Sequence, residues 1–349
     1  MNRLLMVFAS YSALTLATTV AAEKQQTIRG TCMGTKYAVT VVNRPAELSL
    51  ESLANQVDEE LERIEQIFSL YRPSSELSRL NLTASHEWIE VSSDLLTVTK
   101  RALQLAEETG GAFDPTVAPL IQLWKLRQVT ISWSPPTQEA VAKVRQRVGW
   151  RLIELREQPP GLRKRATAVE LDLNALVEGW AIDSVQEILV RNQIQNALIE
   201  LGGEFRSMGH RADGQPWRLG VENPHEAGAL YATVALENAA LSASGDYRQA
   251  IEFQGRRYSH ILDARTGSPI QHDLIAVSVI ASNAMTADGW ATALLALGPE
   301  EGFALAEKKG LAASFVLRTG RSQPPNADSG LRFLLTARAK GRFVSVDNR

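Results

Sequence analysis

A chain of 349 residues is long enough for one large domain or two moderate ones. With 44% hydrophobic residues, 22% charged residues and a formal net charge of −2, its composition is that of an ordinary globular protein. The charges are balanced and no basic stripe runs along the sequence, which argues against a nucleic-acid partner. The chain opens on Met1-Asn2-Arg3, then a largely apolar stretch from Leu4 to Val20, then Ala21 and Ala22. That pattern reads as a secretory signal peptide over residues 1–22, cleaved after Ala21 or Ala22. An N-terminal membrane anchor is the alternative, although Ser and Thr interrupt the stretch and it falls short of about 20 strongly apolar residues. Residues 23–349 then form one domain, with two lobes left open. It would sit in the periplasm or be otherwise secreted across the inner membrane, with membrane association as a variant. Cys32 is the only cysteine. It cannot form an internal disulfide and reads as a packed thiol.

Tyr37 to Val42 has the β-branched and aromatic content of a strand, with Met33-Gly34-Thr35 as the turn before it. Leu53, Val57, Leu61, Ile64 and Phe68 follow helical spacing, so residues 50–69 are predicted as an amphipathic helix. The turn from Tyr71 to Glu76 supplies serines to cap a short helix holding Leu77 and Leu80. A second amphipathic helix carries Leu95, Val98, Ala102 and Leu105 and stops at Gly110-Gly111. Ala112 to Thr116 forms a loop where aromatic, acid and hydroxyl lie close together. A third helix is expected over 137–148, followed by strands at Trp150–Leu155 and Ala168–Leu173. Arg163-Lys164-Arg165 reads as a solvated loop. From Asp172 a helix runs to about Arg191, and its start offers backbone N–H groups to an anion. Ala197 to Leu201 is a strand entering Gly202-Gly203, where small residues allow close approach of a ligand. Further strands are expected at Trp217–Glu222, Tyr231–Leu236, Tyr247–Phe253, Leu274–Ala281, Ala313–Leu317 and, last, Leu331–Leu335, with a helix at 300–309. The irregular alternation predicts an α+β fold of mixed layered sheets and helices rather than a regular βαβ array.

The chemistry concentrates between Tyr258 and Thr292. Asp288 and Thr292 are four residues apart, hence on one face of a helix, and both offer oxygen, which suits a hard cation such as Mg²⁺. Spacing alone equally allows Asp288 to serve the helix N-terminus and Thr292 to bond back to a carbonyl. His260 sits among these residues, whereas His86, His210, His225 and His272 occupy polar, surface-like contexts. The dinucleotide G-x-G-x-x-G, the phosphate-loop and the H-E-x-x-H patterns do not occur. Neither does G-x-S-x-G, which weakens a serine-hydrolase reading of Ser244, His260 and Asp263.

Taken in order, CMGTKY, SLYRPSSELSRLN, GGAFDPTV, LDLNALVEGWAID, IELGGEF, SASGDYR, YSHILDARTG and ADGWATALLALG resemble the FAD:protein FMN transferase family, the ApbE-type flavin transferases, from about Thr31 to Gly320. The resemblance implies a T-fold-related α+β architecture. It also implies a Mg²⁺-dependent enzyme that cleaves the pyrophosphate of FAD, passes FMN to a Thr or Ser hydroxyl of an acceptor flavoprotein and releases AMP. Acceptors would be flavoprotein subunits outside the cytoplasm, such as those of membrane electron-transfer complexes. On matching positions, Met33, Tyr71, Ala112, Phe113, Asp114, Asp172 and Glu178 contact FAD. Asp288, Thr292 and the carbonyl of Ala175 hold the metal, and His260 takes the proton of the acceptor hydroxyl. Ala264 stands where the family usually has Pro, which predicts a looser turn after Asp263. Asn174, Glu200 and Glu204 also depart from commoner residues. Metal-dependent hydrolysis of FAD to FMN and AMP, or flavin binding and delivery without chemistry, are the competing readings.

Overall fold

Helix boundaries follow local capping chemistry, and helix burial follows the apolar spacing. In the computed structural model, which describes residues 25–126, 133–224, 226, 228–246, 250–319 and 330–346, α1 (Leu50–Phe68) starts where the Ser49 hydroxyl accepts the Ser52 N–H at 3.0 Å. Its Leu53, Val57, Leu61, Ile64 and Phe68 are all buried. Ser75 caps α2 (Glu76–Leu82) and Ser92 caps α3 (Ser93–Glu108) in the same way. Gly110 and Gly111, at φ of 60° and 86°, end α3 in the left-handed region that favours glycine. Two short helices follow, α4 (Ala118–Trp124) and α5 (Gln138–Arg145), then the long α6 (Asn174–Arg191), α7 (Ala284–Leu297) and α8 (Pro299–Lys309). Residues 1–22, where a signal peptide is expected, lie outside the described residues.

Numbering only the strands of the large sheet, these are β1 (Gln25–Cys32), β2 (Thr35–Val42), β3 (Asn196–Leu201), β4 (Glu204–Met208), β5 (Ala240–Gly245), β6 (Leu274–Ala281), β7 (Ala312–Arg318) and β8 (Leu331–Leu335). They lie side by side in chain order, each antiparallel to the next. Alternation along each strand gives the sheet two distinct faces. One face, with Val39, Ala197, Ala240, Val277 and Val279, packs with α1, α3, α6 and α7 in the main core. The other, with Leu241, Ile280 and Ala312, packs on a three-stranded sheet of Trp217–Glu222, Leu230–Leu236 and Phe343–Ser345. Covered on both sides, β6 is apolar almost throughout, and seven of its eight residues are buried. A separate cluster joins α4 and α5 to the hairpin Ala250–Phe253/Arg256–Ser259 through Leu120, Trp124, Trp133, Val141, Ile251 and Tyr258.

Several expectations change. The segment Ala168–Leu173 is not a strand. The strand after the Pro-Pro-Gly turn is Gly161–Lys164, pairing with Ile153–Arg156, and Trp150–Leu152 is a 3₁₀ turn. Lys164 is therefore not in a solvated loop: it is 1% exposed, and its ammonium donates to the carbonyls of Asn81 and Thr83 at 3.0 and 3.1 Å. Arg163 and Arg165 pair with Glu154. The expected helix over 137–148 closes at Arg145, and Phe343–Ser345, not Leu331–Leu335, is the last strand. The strand from Tyr247 is described only over Ala250–Phe253, because residues 247–249 lie outside the described residues. Cys32 is buried as expected, and burial, with Glu65 and Glu178 nearby, pushes its thiol up to about 12, which leaves it inert.

The junction of α6 and α7 is close enough to require glycine. A Cβ on Gly179 would stand 2.5 Å from the Ala284 carbonyl oxygen. Asp183, one turn further along α6, accepts the N–H groups of Ala284 and Met285 at 2.8 and 2.9 Å, placing a carboxylate on the positive end of α7. Gly179→Ala must push the helices apart, and a loss of about 1–3 kcal/mol is expected from overpacking of this kind. A urea-unfolding midpoint equal to the parent's would refute this close fit.

Candidate active site

α7 is apolar nearly all round, as a helix buried on every side should be. Its two polar exceptions in the middle, Asp288 and Thr292, therefore need a reason. Both face a cavity of about 400 Å³ between the main core and the α4–α5 cluster. From the first turns of α6 the cavity receives Asn174, Ala175 and Glu178, and from the turn between β3 and β4 it receives Gly202, Gly203 and Glu204. β5 adds Ala243, Ser244 and Gly245, the loop after α3 adds Ala112, Phe113 and Asp114, and the loop after Ser259 adds His260, Ile261 and Leu262. Thus Ala112, Phe113, Asp114, Asp172, Ala175, Glu178, His260, Asp288 and Thr292, scattered over the sequence, converge on one space.

Met33 and Tyr71 do not line it. Met33 occupies the β1–β2 turn at φ 50°, its N–H donating to Glu65 at 2.5 Å. That turn lies beside the cavity, since the Gly202 N–H donates to the Lys36 carbonyl at 3.1 Å. Tyr71 follows the end of α1, where the chain leaves the core, and is 75% exposed. Asp114 reaches the cavity wall, but its carboxylate is already engaged. One oxygen accepts the N–H and hydroxyl of Thr116 at 2.8 and 2.6 Å, the other the Trp150 N–H at 2.8 Å. It shapes the loop that the ligand would meet.

Of the remaining histidines, His86 and His210 are exposed as expected. His272 is not a surface residue: it is half-buried, 3.0 Å from the Leu295 carbonyl at the end of α7. His225 lies outside the described residues. The turn after Asp263 is not loose either. Thr266 and Gly267 donate to the Asp263 carbonyl, and the Ala264 N–H donates to the Ala112 carbonyl at 3.2 Å, a bond that Pro could not make. Asp263 pairs with Arg265 at 2.9 Å and also accepts the Arg265 N–H at 2.9 Å, so its carboxylate is engaged within its own turn.

The electrostatics are dominated by three carboxylates. Asp288 is 4% exposed and accepts the Gly179 N–H at 3.2 Å. Burial, then the charges of Glu204 and Glu178, hold its proton well above the usual carboxylate range. Burial raises Glu178 as well. For Glu204, burial and then the charge of Glu178 push the carboxyl up to about 8. One Glu204 oxygen accepts the Ser242 hydroxyl at 2.9 Å, while the other is buried and has no donor beyond a proton shared with the neighbouring Asp288 carboxyl. Such crowding is satisfied by shared protons or by a cation. Among the described residues, no three His, Cys, Asp or Glu side chains form a metal cage by themselves. A hard cation here would draw on mixed oxygen donors, and Asp288, Thr292 and the backbone at Ala175 offer that set. Glu204 was visible in the sequence only as an unusual acid beside two glycines. The hairpin that turns it inward, with Gly202 at φ 65° and Gly203 at φ 100°, is what makes it part of the site.

Residues 33–315 match the model of the ApbE family. The chain is 34% identical over 326 residues to the FAD:protein FMN transferase of Vibrio cholerae, covering 93% of this chain and 97% of the relative. It is 34% identical to the enzyme of the same name from Haemophilus influenzae over 94% of this chain and 96% of that one. Among solved structures, the flavin transferase ApbE of V. cholerae superposes with a TM-score of 0.81 at 33% identity, covering 90% of this chain and 98% of that one. The apo flavinyl transferase ApbE of Pseudomonas stutzeri superposes at 0.83 and 34% identity, covering 93% and 98%.

The carboxylate crowd predicts a pH dependence of stability in the metal-free protein. Below the ordinary value of 4.5, Glu204 is protonated folded and unfolded. Between 4.5 and about 8 the unfolded chain releases that proton while the folded one retains it, so this group's contribution to stability falls as pH rises. Glu204→Gln should melt with the parent near pH 4.5 and several degrees above it at pH 8. Calorimetry showing no gain at pH 8 would contradict the assignment.

Proposed function

The chain belongs to the ApbE family, and from that membership we propose that it is an enzyme that transfers FMN from FAD to a protein acceptor. The observation that carries this reading is the convergence of Asp288, Thr292, Ala175, Glu178 and His260 on one cavity whose walls also include glycines and the start of a helix. The finer reading is that FMN passes to a Thr or Ser hydroxyl as a phosphoester, with AMP leaving. A Mg²⁺ held by Asp288, Thr292 and the Ala175 carbonyl would neutralise charge on the pyrophosphate.

What the chain's own residues contribute can be derived from their positions. α6 begins at Asn174 without a side-chain cap on Leu173, and its first turn faces the cavity, so its positive end favours a phosphate there. Asp172 accepts the Asn174 N–H at 3.1 Å and pins that first turn. Gly202 lacks the Cβ that would stand 2.5 Å from the Glu178 carboxylate, so the turn between β3 and β4 can lie against that acid. Phe113, Ile121 and Leu126 give the cavity an apolar side suited to a flat ring and exclude water from it. The acceptor's hydroxyl oxygen bonds to the FMN phosphorus as the phosphorus–oxygen bond to AMP breaks. His260, which lines the same cavity, takes the hydroxyl proton as general base.

The leader read in residues 1–22 supports a site of action outside the cytoplasm, where the acceptors would be secreted or membrane-bound flavoproteins. Among the described residues no helix is long and apolar enough to cross a membrane.

Incubation with FAD, Mg²⁺ and a Thr-containing acceptor should leave fluorescence on the acceptor after denaturing electrophoresis, with equimolar AMP. AMP without labelling would mean hydrolysis, and tight FAD binding without AMP a carrier. Asp288→Ala should abolish Mg²⁺-dependent turnover while the protein stays folded. His260→Ala should slow transfer by about 10²–10⁴-fold with FAD affinity retained. Undiminished transfer by His260→Ala between pH 6 and 8 would assign the proton elsewhere.

A further inference from the structure

Strand β5 turns two hydroxyls toward the helical face of the large sheet. Ser242 and Ser244 are two residues apart and so lie on one side of the strand. Ser242 donates to Glu204, and Ser244 Oγ lies 2.9 Å from Thr292 Oγ1. Thr97 and Thr109, in and at the end of α3, show the habit of helical threonine: their hydroxyls donate to the carbonyl four residues back, at 2.7 and 2.9 Å. Thr292 instead meets a hydroxyl on a strand 48 residues earlier in the chain. Ser244 itself lines the cavity.

A hydroxyl carries one proton and two lone pairs, and only the lone pairs attract a cation. Which way the Ser244–Thr292 bond runs therefore decides whether Thr292 is a usable donor. We infer that Ser244 is a positioning residue for the reaction. It accepts the Thr292 proton, which turns the Thr292 lone pairs into the cavity, and its own freed O–H donates to a phosphate oxygen of the bound dinucleotide. This rests on the reading of Asp288 and Thr292 as holders of the cation. β5 then supports the site at two points, with Ser242 fixing Glu204 and Ser244 fixing Thr292.

The test titrates the metal-free protein with Mn²⁺, alone and with ADP as the diphosphate, by electron paramagnetic resonance. Removing such an orienting partner typically weakens metal binding by about 10–100-fold. Ser244→Ala should lose that much Mn²⁺ affinity with the metal-free melting midpoint unchanged, and Ser244→Thr, which keeps the hydroxyl, should retain it. For Mn²⁺ without ADP, the double variant Ser244→Ala/Thr292→Ala should bind no more weakly than Thr292→Ala alone, because the two groups act as one unit toward the metal. Parent-like Mn²⁺ affinity in Ser244→Ala, or losses that simply add in the double variant, would overturn the inference. So would a fall in the metal-free midpoint that tracks the loss of metal, since Ser244 would then only pin strand to helix. If Asp288→Ala loses Mn²⁺ while Ser244→Ala keeps it, the cation assignment stands and the role of Ser244 falls. A parent that binds no Mn²⁺ removes both.

Discussion

The contact of α6 with α7 sets the geometry of everything around it. Gly179 brings backbone against backbone at Ala284, and Asp183 fastens the start of α7 through two N–H groups. With that end fixed, Asp288 falls one turn inside α7, against the Gly179 N–H, and Thr292 one turn further along the same face. The start of α6, with Ala175 and Glu178, is thereby presented to the same cavity. A separation wide enough to admit one methyl group at Gly179 would move each of these groups relative to the others.

Around that junction the protein gathers groups that a stability-driven interior would avoid. Three carboxylates stand together, each held toward its protonated form by burial. A core tolerates such a cluster poorly unless a cation or a proton satisfies it. By contrast, the buried Lys164 is satisfied by two carbonyls, and the buried Asp114 by three donors within its own neighbourhood. Those two residues shape the chain. Of the cavity carboxylates, Glu204 keeps one buried oxygen without a partner of its own, as is expected where a ligand completes the structure.

The neighbouring elements hold the remaining groups of the site in place. β5 brings Ser242 and Ser244 behind the acids, and the loop after α3 is closed by Asp114, Thr116 and the Ala264–Ala112 bond into a firm wall. The α4–α5 cluster, pinned by the Trp124 indole to the Gly267 carbonyl at 2.8 Å, packs on Tyr258 and Leu262, which flank His260.

The amino-acid order by itself determined the helices that depend on local rules: apolar residues three and four apart in α1 and α3, serine caps and stopping glycines. It also carried the family's motifs in order, and with them the residues that meet in the cavity. It could not show that Lys164 points inward, that Ala168–Leu173 is not a strand, or that Met33 and Tyr71 stay outside the cavity wall, because those outcomes depend on which distant segments cover them. Nor could it distinguish Glu204 and Ser244 from other polar residues beside glycines. Only the pairing of β3 with β4, and of β5 with the strand and helix that follow it, brings an acid to Asp288 and a hydroxyl to Thr292. Local pattern reports which side of an element is apolar, while the identity of what lies opposite is a property of the folded chain alone.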